Sequence, residues 1–149
     1  QQVAREELED FNLQRFLTLF DLLDAKTCRL AGQLIQKIDP DTLEKLAKEM
    51  TGPMRSKRMR ATQAAIAMGF ESQLLDTFIE LLEDTDVLVR RMATEVVGRI
   101  PGEASLKALQ GMLEDTNPRI REIAEKSIER LEALVVAEPA DEPPPEELG

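Results

Sequence analysis

Apolar residues recur every three or four positions along almost the whole chain, and no stretch alternates apolar and polar side chains as a half-buried strand does. The spacing predicts short amphipathic helices cut by turn residues. A first helix is expected over Ala4–Leu23, with Leu13, Phe16, Leu17, Phe20 and Leu23 on its buried face. Asp24 caps a second helix, which runs to about Ile38. Asp39-Pro40 opens a third, with Asp as N-cap and Pro at the first helical position; it ends near Met50, ahead of Thr51-Gly52-Pro53. A fourth covers Met54 to Met68 and stops at Gly69, and Ser72 caps a fifth that runs to about Glu83. The sixth spans Val87 to Arg99, before Pro101-Gly102. The seventh covers Glu103 to Leu113, and Asn117-Pro118 opens the eighth, to about Leu134. The linkers are so short that neighbouring helices must fold back as hairpins.

The pattern also repeats. LEDTDVLVRRMATEVVGRI begins at Leu82 and LEDTNPRIREIAEKSIERL at Leu113, in the same register. A small residue marks each second helix of a pair, at Ala31, Ala61, Ala93 and Ala124, at intervals of 30, 32 and 31 residues. Such a period predicts stacked hairpins that share one continuous core, with alanine where adjacent helices must approach. Asp84 and Asp115 fall in the turn between the helices of a pair. Arg90 and Arg121 follow six residues later. The Asp is suited to accept N–H groups at a helix start, and to pair with an Arg of its own or a neighbouring repeat, so these four residues form a candidate structural ladder.

This period and the Asp…Val/Ile-Arg…Ala signature resemble HEAT repeats, in particular the short bacterial type of phycobilisome lyases. The resemblance covers roughly residues 72–134. Over 40–70 Gly52 replaces the Asp while Arg58 keeps the Arg position, and over 8–39 helix pairing and Ala31 carry it. It implies an all-α fold, a right-handed α-solenoid of about four hairpins and eight helices. The repeats would lie at approximately 4–38, 39–69, 71–100 and 102–134, inside a domain ending at 136. A terminal repeat is expected to present a wetter outer face. Residues 137–149, acidic and rich in proline, are expected to form a disordered tail.

Composition narrows the function classes. The chain has 149 residues, enough to bury a core, and begins with Gln, so a processed product or a fragment is expected. It has no His, Trp or Tyr, which leaves no imidazole for a catalytic triad or a zinc site. No enzyme activity, cofactor or metal is therefore expected. The net charge of -10 disfavours nucleic acid as a partner. One cysteine, Cys28, and no readable signal or membrane span point to a reducing, cytoplasmic setting. Cys28 is expected to be buried, with activation by Lys26 and Arg29 as the alternative reading; Phe11, Phe16 and Phe20 are expected in the core.

What remains is a binding surface on the second helices, for another protein or another domain of a longer chain. MRSKRMR, residues 54–60, gathers Arg55, Lys57, Arg58 and Arg60 in an acidic protein. It is either an anion-docking patch, onto which the tail folds weakly, or a ladder residue with solvated neighbours. Ala64 and Ala65 beside it either leave a shallow trough or are covered by neighbouring repeats. The candidate partner-binding residues are Arg55, Lys57, Arg60, Gln63, Arg91, Glu95 and Glu122. A chromophore-lyase-like role, a nucleic-acid-binding role and a spacer role are the alternatives.

Overall fold

Helix geometry follows from how each segment starts and stops. The structure, a computed structural model, describes residues 13–137. The expectations for residues 1–12, Phe11 among them, and for the acidic tail from 138 onward lie outside the described residues. Among the described residues there are eight α-helices and no strand: α1 (residues 13–19), α2 (Ala25–Ile38), α3 (Thr42–Met50), α4 (Arg55–Ala67), α5 (Leu75–Leu81), α6 (Val87–Val97), α7 (Glu103–Met112) and α8 (Pro118–Ala137). The fold is all-α, of the helical-repeat solenoid class. It divides into two compact units whose boundary falls within α6, after Ala93.

In the first unit α1 tightens into a 3-10 turn over Phe20–Leu22, and the Leu23 N–H closes it on the Phe20 carbonyl at 3.1 Å. A 3-10 turn advances each residue further around the axis than an α-helix does. Leu23 is thereby carried out of line with Leu13, Phe16 and Phe20. Those three are buried, Leu17 is half-buried and Leu23 is exposed, a correction to the expected five-residue face. The Phe16 and Phe20 rings stack at 5.7 Å between centroids.

Asp24 caps α2 by accepting the Thr27 N–H at 2.7 Å. Hydrogen bonds from the Thr27 side chain and then its backbone hold the Asp24 carboxyl below the usual carboxylate range. A carboxyl depressed in the folded state stabilises the fold above its unfolded pKa, and the contribution is lost as pH falls through the folded value. The Asp24→Asn variant keeps an acceptor but not the charge. The gap between its urea midpoint and that of the parent is expected to close between about pH 5 and pH 2.

Two helix starts differ from expectation. Helix α3 begins at Thr42 rather than after Asp39, because Asp39 folds a turn first. Its carboxylate accepts the Asp41 N–H at 3.0 Å and, itself buried, the Lys45 ammonium at 2.7 Å. Helix α5 begins at Leu75, and Ser72 does not cap it. Phe70 and Leu74 are buried in a turn whose carbonyls take the N–H groups of Leu74 and Phe78 instead. Helix α4 ends as the sequence suggests. Gly69 adopts φ +79, and the N–H groups of Gly69 and Phe70 turn back to the carbonyls of Ile66 and Ala65, a Schellman stop.

Helices α2, α3 and α4 pack on one another in this unit. Gly32 lets α2 reach α4: a Cβ there would stand 2.7 Å from Met68 Cβ. Phe16, Leu19, Leu23, Leu34, Ile35 and Ile38 line a groove of about 340 Å³. In the second unit α7 packs on α8, with Leu109, Met112, Ile120, Ala124 and Leu131 buried. Helix α8 runs three residues past Leu134, since no proline or glycine interrupts Val135-Val136-Ala137.

Candidate partner-binding surface

The turns between paired helices are built by side chains that satisfy orphan backbone groups. Asp84 accepts the Asp86 N–H at 2.9 Å, and Asp86 accepts those of Leu88 and Val89 at 2.8 and 3.3 Å. In the next repeat Asp115 accepts the Asn117 N–H at 2.8 Å, and Asn117 accepts those of Arg119 and Ile120 at 2.9 and 3.3 Å. Each turn thus stacks two side-chain caps ahead of its second helix.

The arginines at the following register position close the same turns. Arg90 donates to the Asp84 carbonyl at 3.0 Å, and Arg121 to the Asp115 carbonyl at 2.6 Å. Arg58, in the repeat that lacks the turn Asp, donates to the carbonyls of Gly52 and Pro53, both at 3.2 Å. It also grips the next repeat. Its Nε and Nη2 meet the Asp84 carboxylate at 2.9 and 3.1 Å, a bidentate fork whose side chains are only 13% and 7% exposed.

The basic cluster around Arg58 is largely consumed in the same way. Arg55 is paired with buried Asp86. Arg60 donates to the Leu17 and Thr18 carbonyls at 2.8 and 3.1 Å, pairs with Asp21, and lies over the Phe20 ring with its guanidinium carbon 4.1 Å from the centroid. It closes the C-terminal end of α1, where helical carbonyls lack partners. Replacing Arg60 with Ala is expected to cost about 1–2 kcal/mol, from charge-assisted bonds and the cation–π contact at a half-exposed site. Arg60→Lys restores the charge without the fork and recovers only part of it. Urea unfolding of both variants measures this.

Of the four cations, Lys57 alone has no partner among the described residues. Ala64 and Ala65 are fully buried, so the trough beside the cluster is filled. Gln63 is exposed on α4. Arg91 and Glu95 are exposed on α6, one turn apart and each engaged in a further interaction. Glu122 is exposed on α8, between Arg119 at 3.1 Å and Lys126 at 2.9 Å. Hydrogen bonds from Lys126 and then Arg119 hold its carboxyl below the usual carboxylate range.

Sequence reading missed the Arg55–Asp86 pair and the destination of Arg60. The only trace of the latter was that Arg60 stands where later repeats carry Met92 and Ile123. It also missed a groove between the end of α6 and α8. Gly98 admits α8 so closely that a Cβ there would stand 2.7 Å from Ser127 Cβ, and Arg130 donates to the Gly98 carbonyl at 2.8 Å.

Cys28 is buried, its thiol facing the Phe20 carbonyl at 3.6 Å; burial first, then Asp24 and Asp21, push its pKa up. That is the opposite of the environment that activates a thiol. Among the described residues no cluster of three or more His, Cys, Asp or Glu could hold a metal ion, and no helix is long and apolar enough to cross a membrane.

The family model for HEAT repeats matches residues 30–129, about two thirds of the chain, from α2 into α8. No curated protein and no solved structure matches.

Proposed function

The chain belongs to the HEAT-repeat family, and from that premise we propose that it is a non-enzymatic interaction or scaffold module whose second helices hold a protein partner. HEAT repeats generally mediate protein–protein interaction or scaffolding. The observation that supports this surface is a division of labour among polar side chains. Arg55, Arg58 and Arg60 turn to acids and carbonyls of their own unit. Lys57, Gln63, Arg91, Glu95 and Glu122 stay exposed on α4, α6 and α8. Arg58 and Arg60 are drawn into the stack, whereas Arg55, although paired with Asp86, keeps most of its side chain exposed beside the displayed residues. Arg60, closed on α1, is accordingly read as a packing residue, and Arg55 stays in the partner-binding set.

The mixed signs of the displayed residues favour a protein surface over a polyphosphate, which needs an unbroken positive stripe. Ion pairs with Asp86, Asp84 and Asp21 also engage three of the four cations of the basic cluster. A single cysteine, Cys28, which can form no disulfide within the chain, fits a reducing compartment such as the cytoplasm.

Affinity capture from the source cell's lysate tests the reading. The baits are the parent chain and a variant with Lys57→Glu, Gln63→Arg and Arg91→Glu, whose thermal unfolding is checked first. A protein retained by the parent and lost from a normally folded variant is the expected result. Identical recoveries would remove the second-helix surface from the function.

A further inference from the structure

The groove between the end of α6 and α8 has a volume of about 280 Å³ and is lined by Glu95 of α6, by Arg99 in the turn that follows it, and by Ile123, Lys126, Ser127 and Arg130 of α8. Three cations and one carboxylate make it locally positive in a chain whose net charge is -10. The cations are fixed to different degrees. Arg130 is anchored through one of its five N–H donors to the Gly98 carbonyl. Lys126 is steadied by Glu122. Arg99 is exposed and has no partner among the described residues. Half-buried Ile123 supplies an apolar wall.

We propose that this groove binds an acidic peptide segment, a Glu or Asp side chain seated between Arg99 and Arg130 with an apolar neighbour against Ile123. The inference rests on the reading of the second helices as a protein-binding surface and assigns the partner's chemistry in the second unit. Two arginine forks match the planar, two-oxygen shape of a carboxylate. The Glu95 carboxylate in the lining repels a densely charged polyphosphate more than it does a single carboxylate. Ile123 and the aliphatic stems of Arg99 and Arg130 reward an apolar side chain, which inorganic phosphate lacks. The close approach at Gly98 holds the backbones of both walls at fixed spacing, so on binding the ordering cost falls mainly on the Arg99 side chain.

The test uses the full chain and a fluorescein-labelled hexapeptide, Glu-Leu-Glu-Glu-Leu-Glu, followed by anisotropy and by amide chemical shifts. The all-glutamine counterpart, Gln-Leu-Gln-Gln-Leu-Gln, and inorganic phosphate serve as comparison probes. The acidic peptide is expected to bind and to shift Arg99, Lys126, Ser127 and Arg130. Arg99→Glu should weaken it by about tenfold or more, and Lys126→Gln by a smaller factor, in the order expected for lost charge pairs. Lys48→Glu, on the exposed side of α3 in the other unit, should leave it unchanged.

Equal binding of the glutamine peptide, insensitivity to Arg99→Glu, or shifts produced by phosphate with no peptide binding would overturn the proposal. A partner captured from lysate through Lys57, Gln63 and Arg91, alongside a silent groove, would overturn the groove while leaving the interaction module standing.

Discussion

Replacing Arg58 with alanine is expected to lower the free energy of unfolding by roughly 3–5 kcal/mol, the usual cost of stripping one partner from a buried ion pair. Both side chains are almost wholly withdrawn from water, at 13% and 7% exposure, so solvent screens the pair little. The substitution also releases the Gly52 and Pro53 carbonyls, which Arg58 alone closes in the repeat without a turn Asp. Removing Asp84 should cost a similar amount, because the guanidinium then lacks its fork and the Asp86 N–H its acceptor. The double variant should lose far less than the sum, a coupling that a thermodynamic cycle measures directly. Since domains of this size are stable by only about 5–15 kcal/mol, either single variant should bring melting close to working temperature. A loss below about 1 kcal/mol would mean that the fork is as dispensable as an exposed pair.

Gly98→Ala is the second large effect, at about 2–3 kcal/mol, near the upper end for forcing extra volume into a packed contact. The new Cβ would stand 2.7 Å from Ser127 Cβ and closer still to Ser127 Oγ; the hydroxyl can rotate about χ1, but the Cβ is fixed to the backbone and cannot swing aside. Relief must come from a shift of α8. The diagnostic is compensation: Ser127→Gly should recover much of the loss in a Gly98→Ala background, despite being unfavourable in the middle of a helix by itself. Failure of that rescue would show that the strain lies in the local backbone of residue 98 and not between the helices. Because Gly98 sets the spacing of the walls that carry Arg99 and Arg130, the same change should weaken acidic-peptide binding.

The repeat period was legible because it is written in small residues. Ala61, Ala93 and Ala124 are all buried, as an alanine admitting a neighbouring helix must be; Ala31, on the first hairpin, is half-buried. Helix ends were legible where one residue decides them, as at Asp24, Gly69 and Pro118. They were less so where a turn competes with a cap. At Asp39 and Ser72 the same residue types that start helices also fold turns, and buried Phe70 and Leu74 settle the second case by packing, which no local pattern announces.

The charge cluster at 54–60 was visible at once, yet its role was not. Whether an arginine is displayed or consumed depends on what lies opposite, and Asp86 and Asp21 are 31 and 39 residues away in sequence. The α6–α8 groove was hidden for the same reason. Lys126 and Arg130 share a helical face with Ile123, but only the close approach at Gly98 brings Arg99 beside them.

Whether the second helices carry the partner is decided by position-specific photocrosslinking in the source cell. A photoreactive residue is placed singly at Gln63, Arg91 and Glu122 on the second helices, and at Lys48 and Lys107 on the exposed sides of α3 and α7. A discrete adduct is expected from the first three sites and none from the other two. Adducts confined to Lys48 and Lys107, or none from any site in a normally folded chain, would contradict it.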